Sequence, residues 1–199
     1  MKKVYITKTS SIGLRCHEWA KSLLVDNIQI VENESDCQIL LSVFHNKIFT
    51  SDFLSKREGC FNFHGGLLPD YRGSCTINWA ILNNEKETGV TLHKLETDID
   101  TGDIIDIHKV PLDNNDTSGS VYFKLEAAVF FMFKKWFLKL INEDFKAIPQ
   151  SQSSKKTYTK NDIESVKDLT KYVRAFQHDG KENAYYYSRS GKKFYLTYE

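Results

Sequence analysis

Three features of the chain predict an α/β fold, a mostly parallel, Rossmann-like sheet flanked by helices. A short strand over Val4 to Thr7 passes through the small polar turn Lys8-Thr-Ser-Ser11 into a helix from about Ile12 to Leu24, the usual opening of a doubly wound sheet. Gln38 to Phe44 is a continuous apolar run of strand length, as expected for a strand buried on both faces. Further along, strand-like stretches keep alternating with stretches of helical period.

Between those two strands, Ile28 to Val31 reads as a second strand and the polar stretch Glu32 to Asp36 as its exit. Thr50 to Lys56 is predicted as a short helix, ended by Gly59. Cys60 to Phe63 is the next strand, followed by a loop from His64 to Gly73 and a helix from Thr76 to Asn84. Gly89 to Leu95 and Asp103 to Val110 are two more strands. A long helix starts near Thr117 or Ser118. Val121, Leu125, Ala128, Val129, Met132, Trp136 and Leu140 recur along it at steps of three and four and form one apolar face.

Composition shifts at Pro149-Gln-Ser-Gln-Ser-Ser-Lys-Lys156, which reads as a connector. The expected organisation is a main domain over 1–148, a connector over 149–161, and a small C-terminal appendage over 162–199. The appendage should hold an amphipathic helix (Asp162 to Phe176) and a hairpin (Ala184 to Tyr198) turning at Arg189-Ser-Gly191.

The 199 residues carry 27 basic and 26 acidic side chains, a net charge of +1. That balance argues against a protein that coats a polyanion, so nucleic acid is not the expected partner. The four cysteines, Cys16, Cys37, Cys60 and Cys75, form no CxxC pair, so no metal site is expected. No apolar run approaches the ~20 residues that span a bilayer, and the N-terminus lacks a signal-peptide core. A cytoplasmic location is the corresponding expectation.

The chemistry is concentrated in one stretch. It opens with Cys60-Phe-Asn-Phe-His-Gly-Gly-Leu-Leu-Pro-Asp-Tyr-Arg-Gly73, continues through Thr88-Gly-Val-Thr-Leu-His93, and ends with Asp98-Ile-Asp-Thr-Gly-Asp-Ile-Ile105. Asn62 and His64 are two apart at the carboxyl end of a strand, so their side chains lie on one side of the sheet, at the edge where open α/β sheets bind ligands. Asp100 sits in a glycine-flanked loop that the fold can bring beside them. An amide donates to a developing oxyanion, an imidazole moves a proton near neutral pH, and a carboxylate holds that imidazole charged. No serine or cysteine is placed beside a base here, which favours direct attack by a substrate amine.

The pattern N-x-H-x-x-x-L-P-x-Y-R-G, then G-V-T-L-H, then D-x-D-T-G-x-I resembles the folate-dependent formyltransferase family. That family includes glycinamide ribonucleotide transformylase, methionyl-tRNA formyltransferase and the sugar-nucleotide N-formyltransferases. The resemblance implies the formyltransferase fold with a shortened N-terminal part, because only about six residues separate the second and third strands. It implies 10-formyltetrahydrofolate as co-substrate and Asn62, His64 and Asp100 as the catalytic residues. Asn46, Lys47, Ile48 and Phe49, with Glu96, Thr97 and Asp98, match the segments that hold the pterin, largely through backbone groups. Thr9, Ser10, Ser11 and Gly13 fall where relatives bind the amine-bearing substrate, at a helix N-terminus that suits a phosphate.

Taken singly, Asn62 is an ordinary strand end and His64 an ordinary core histidine; only the matching spacings favour catalysis. His93 reads as a strand residue facing a helix, although in the family pattern it lies close to the folate loop, and His17, His108 and His178 read as surface or structural. Arg72 reads as a structural partner of its loop. The connector and the helix after it, Leu169-Thr-Lys-Tyr-Val-Arg-Ala-Phe176, resemble those of the tRNA and sugar enzymes. The expected acceptor is therefore a small-molecule amine on a nucleotide-linked aminodideoxy sugar. Glycinamide ribonucleotide, methionyl-tRNA, and a folate-binding protein without an acceptor site are the alternatives. A homodimer through the tail or the aromatic helix is compatible with the sequence.

Overall fold

The computed structural model describes residues 1–151, 157–158, 169–181, 183–187 and 191–197. The chain opens with strand β1 (Lys2–Ile6) and helix α1 (Ser11–Ser22). Ser10 caps that helix, its hydroxyl accepting from the Gly13 N–H at 3.0 Å. Strand β2 (Ile28–Ile30), one 3₁₀ turn (Glu34–Asp36) and strand β3 (Ile39–Val43) follow. That single turn fills the short spacing between the second and third strands.

Helix α2 (Ser51–Ser55) starts at its Thr50 cap, and strand β4 spans Gly59–His64. Gly59 opens this strand and does not end α2, whose C-cap is Lys56. Pairing with the sheet takes over early, because the Glu58 N–H already bonds to Gln38 O at 2.8 Å. Helix α3 (Thr76–Leu82), strands β5 (Glu87–Lys94) and β6 (Ile104–Pro111), and the long helix α4 (Ser118–Ile141) complete the main body.

Among the described residues these strands form one sheet in the order β2-β1-β3-β4-β5-β6. The first four are mutually parallel; β5 runs antiparallel to β4, and β6 antiparallel to β5, at the far side. The chain reverses direction of travel across the sheet between β1 and β3, so a crevice opens at their carboxyl ends.

Strand periodicity sorts the side chains. Ile39, Leu41, Val43, Phe61 and Phe63 enter the large core under α1 and α4, whereas Leu40 and Cys60 face the other side with Val31, Cys37 and Phe49. Asn62 and His64 share parity with Cys60. They therefore lie on the face that the five-residue α2 covers through Phe53 and Leu54. The opposite face is sealed by Trp19, which meets Phe130, Phe133 and Phe137 edge-on at 5.7–6.3 Å.

Helix α4 begins with a capping box: the Thr117 hydroxyl accepts from the Ser120 N–H, and the Ser120 hydroxyl accepts from the Thr117 N–H. Thr117→Ala should cost about 1 kcal/mol. Urea unfolding would show it as a lower midpoint at an unchanged slope.

Of the helix expected from Asp162, residues 162–168 lie outside the described residues; helix α5 is described over Leu169–Phe176. Its Val173, Ala175 and Phe176 join the same core as α4. Arg174 Nε donates to Asp116 O at 2.8 Å, and Gln177 O receives the Gly119 N–H at 2.8 Å, so α5 ends against the start of α4. Strands β7 (Tyr185–Tyr187) and β8 (Lys193–Tyr195) form the hairpin; its expected turn at Arg189 and Ser190 lies outside the described residues. The connector residues 152–156 and 159–161 do as well. No described helix is long and apolar enough to cross a membrane.

Candidate active site

Asn62 and His64 end β4 with 6% and 7% of their surface exposed. The antiparallel register places His93 directly across from Asn62 and Thr91 across from His64. The loop after β5 returns Asp100 over this pair. Its backbone is left-handed there (φ 52°), a conformation that aspartate tolerates better than most residues.

Four polar side chains meet. Asn62 Nδ2 lies 3.3 Å from Asp100 Oδ1 and 3.2 Å from His93 Nε2. Asp100 Oδ2 is 3.4 Å from His64 Nδ1, and Oδ1 is 3.4 Å from His93 Nε2. The Gly73 N–H donates to Asp100 Oδ2 at 2.9 Å. His93 Nδ1 donates to Lys94 O at 2.6 Å, so in the neutral ring Nε2 is the acceptor facing Asn62. His64 Nε2 donates to Tyr71 O at 2.6 Å, which turns Nδ1 toward the carboxylate. Asn62 Oδ1 is buried without a hydrogen-bond partner among the described residues.

Burial pushes the His64 imidazole below its ordinary value, and the Asp100 carboxylate works against that. Burial also works to raise Asp100. His64, His93 and the Gly73 N–H outweigh it and hold the carboxyl well below the usual range. The cluster thus pairs a firmly ionised carboxylate with an imidazole whose two nitrogens both face oxygens.

The glycine-rich loop after β4 is built around this geometry. Thr91 Oγ donates to Gly66 O at 2.7 Å and accepts the Leu68 N–H at 3.1 Å. A Cβ on Gly66 would sit 2.7 Å from Tyr71 O and 2.8 Å from His64 Nε2, which requires glycine there.

Sequence reasoning brought Asn62, His64 and Asp100 together as the structure does, but it took His93 for a helix-facing strand residue. His93 is fully buried and touches both Asn62 and Asp100. The signal was the antiparallel register of β5 on β4, which the local pattern does not reveal.

The other predicted residues are more dispersed. Asn46, Lys47 and Ile48 are exposed, and Lys47 pairs with Glu34. Phe49 is buried and stacks on Phe53 at 5.0 Å, so only its backbone can meet a ligand. Glu96, Thr97 and Asp98 are exposed on the loop leading to Asp100. Near α1, the Thr9 hydroxyl contacts His45 Nδ1 at 2.7 Å across the β1/β3 crevice. Ser11 bonds to Glu126 of α4. The Ser10 hydroxyl is engaged by Val43 O and the Gly13 N–H, and a Cβ on Gly13 would lie 2.4 Å from Thr7 O. Ser10 and Gly13 therefore shape the turn, while Thr9 and Ser11 are exposed.

Fold and site together describe an α/β protein with a buried amide and imidazole and a half-buried carboxylate at the carboxyl end of its sheet strands. A sequence model described as formyl transferase matches residues 14–133, and the chain belongs to the formyl transferase family. Over 98 residues it is 42% identical to the bifunctional polymyxin resistance protein ArnA of Wigglesworthia glossinidia brevipalpis. Over 86 residues it is 41% identical to the methionyl-tRNA formyltransferase of Pelotomaculum thermopropionicum. These matches cover 49% and 43% of this chain but only 15% and 28% of the two relatives.

Among solved structures, a sugar N-formyltransferase from Shewanella sp FDAARGOS_354 superposes with a TM-score of 0.85. It covers 100% of this chain and 97% of that one at 20% identity, a likeness of fold. WlaRD, a sugar 3N-formyl transferase solved in the presence of dTDP and 5-N-formyl-THF, has a TM-score of 0.76. It is 26% identical, with 88% of this chain and 79% of that one covered.

Proposed function

We propose that this protein transfers a formyl group from 10-formyltetrahydrofolate to the amino group of a nucleotide-linked aminodideoxy sugar. The observation that carries the reading is the Asn62–His64–Asp100 cluster, in which an amide N–H donor lies 3.3 Å and an imidazole nitrogen 3.4 Å from one carboxylate. Its internal contacts of 3.2–3.4 Å are long, as catalytic hydrogen bonds often are before substrate tightens them.

In the proposed reaction the amine nitrogen bonds to the formyl carbon and the bond from that carbon to the folate nitrogen breaks. Asn62 and protonated His64 stabilise the oxyanion between these steps. Asp100 opposes the loss of the His64 proton that burial favours, and the proton lost by the amine passes by way of this pair to the departing folate nitrogen. Folate would lie along the face that α2 covers, held by backbone groups of Asn46 to Phe49 and Glu96 to Asp98. The acceptor would reach the reacting carbon from the turn Thr9 to Gly13.

The sugar acceptor is supported by the full-length superposition on a sugar enzyme and by relatives such as the one from Helicobacter canadensis. That protein was solved with folinic acid and dTDP-3-aminofucose and is 25% identical to this chain. Methionyl-tRNA is the second reading, favoured by the names of the more identical sequence relatives. Its counterweight is the net charge of +1, which offers no general attraction for tRNA.

The test is incubation with 10-formyltetrahydrofolate and a panel of amino-sugar nucleotides, glycinamide ribonucleotide and charged initiator tRNA, following release of tetrahydrofolate. Turnover that requires one amino-sugar nucleotide is expected. Turnover equally fast without any amine would mean hydrolysis, and turnover only with tRNA would replace the sugar reading.

A further inference from the structure

The loop that carries Asp100 is held from outside the motif region, by the connector. Gln150 lies just after α4, in the stretch whose composition marks it as linker, and its side-chain amide makes four hydrogen bonds. Its Nε2 donates to Asp100 O at 2.9 Å and to Gly102 O at 2.7 Å. Its Oε1 accepts from Arg72 Nε at 3.2 Å and Arg72 Nη2 at 2.7 Å. One planar group therefore joins the two loops whose meeting creates the site. Arg72 precedes Gly73, whose N–H holds the Asp100 carboxylate.

The neighbouring backbone seconds this. Ile148 pairs with Ile104 on one side of the strap, and Tyr158 pairs with Arg72 and Ser74 on the other. The amide meets three distinct demands at once: an acceptor for a cation, and a donor for each of two carbonyls. A carboxylate would supply the first and repel the other two; an apolar side chain would supply none.

We infer that Gln150 is a positioning residue of the reaction, setting the Asp100 loop against His64 through its bonds to Arg72 and to the Asp100 and Gly102 carbonyls. The inference deepens the proposed formyl transfer and rests on that assignment of Asp100. Gln150 touches none of the reacting side chains, so its effect acts through where Asp100 sits. Displacements of about 1 Å at a reacting group can cost about a hundredfold in rate.

The experiment compares the full-length protein with its Gln150→Ala and Gln150→Glu variants by two readouts. Steady-state kinetics with the acceptor identified by the panel should show kcat reduced about 10- to 100-fold. KM for the folate should stay within about twofold, since Gln150 itself bonds to Arg72, Asp100 and Gly102 and to no residue of the proposed pterin segments. Gln150→Glu should be no better than alanine, because it keeps the Arg72 pairing and loses both donations.

The second readout needs no turnover: side-chain NMR of the histidines across pH. Asp100 and His93 are the titratable groups facing His64, with the two imidazole centroids 6.1 Å apart. Moving the carboxylate away should lower the His64 midpoint in both variants relative to wild type. An unmoved His64 midpoint in Gln150→Ala overturns the inference whatever the kinetics show, and so does wild-type kcat in that variant. If the wild-type protein transfers formyl to no amine on the panel, the proposed reaction falls. The NMR comparison then still decides the role of Gln150.

Discussion

Replacing Asp100 with asparagine is expected to lower kcat for formyl transfer by about 10³-fold. The amide is nearly isosteric and can still accept from the Gly73 N–H, so the loop should hold its place. What disappears is the negative charge 3.4 Å from His64 Nδ1 and 3.4 Å from His93 Nε2. Without it, only the Tyr71 carbonyl opposes burial and His93, which already lower the His64 ring, so the protonated form proposed to act in the transfer becomes rarer still. KM for the folate should change little. A variant with wild-type kcat would remove Asp100 from the mechanism.

The same substitution has a signature in stability. The Asp100 carboxyl is held below its ordinary range in the folded protein, so its stabilising contribution is complete above the unfolded-state value near 4. That contribution declines as pH falls below that value, toward the folded-state one. Wild type should therefore lose more stability than Asp100→Asn on acidification below about pH 4. Unfolding midpoints measured from neutral to acid pH would show the two profiles converging. Parallel profiles would mean that the carboxylate is no better stabilised in the fold than in the open chain.

Gly102→Ala carries the second large effect, on structure and rate together. An added Cβ would stand 2.0 Å from Lys94 O and 2.8 Å from Lys94 C. Both are backbone atoms of β5, which cannot swing aside as a side-chain tip can. The Lys94 N–H also bonds to Asp103 O at 3.0 Å, so the strand and the loop are tied at that point. Relief requires the loop to lift, and Asp100 would lift with it. Overpacking of this kind costs about 1–3 kcal/mol, or roughly 2–12 °C in Tm for a chain of this size. Activity should fall about as far as in Asp100→Asn. Thermal unfolding and the formyl-transfer assay test this together; a variant matching wild type in both would show that the loop has room the structure does not reveal.

Much of the fold was legible because it rests on local pattern. The run read from Gln38 to Phe44 became a strand over Ile39–Val43 buried at every position, and the three-and-four steps of α4 became its buried face except for the half-buried Trp136. Asn62 and His64 could be placed together because a strand's period of two is fixed by covalent geometry. The end of α2 was misplaced at Gly59 because strand pairing at Glu58, a distant contact, intervened before the glycine was needed.

His93, Gln150 and the fate of the Thr9 to Gly13 turn were not legible in the same way. His93 belongs to the site through a register that depends on how two strands meet, and nothing in Thr88 to His93 states that register. Gln150 sits in a low-pattern connector, 50 residues from the carbonyl it braces. Ser10 looked available for a ligand until the fold brought Val43 O to its hydroxyl.

The sequence by itself determined the alternation of elements, the side of the sheet that Asn62 and His64 occupy, and the chemical set that includes Asp100. Each follows from periodicity and residue type over short spans. The tertiary structure alone decided that Asp100 meets His64, that His93 joins them, and that a connector glutamine holds the arrangement. Those depend on contacts between segments far apart in the chain, whose geometry is set by packing and hydrogen-bond satisfaction across the whole sheet.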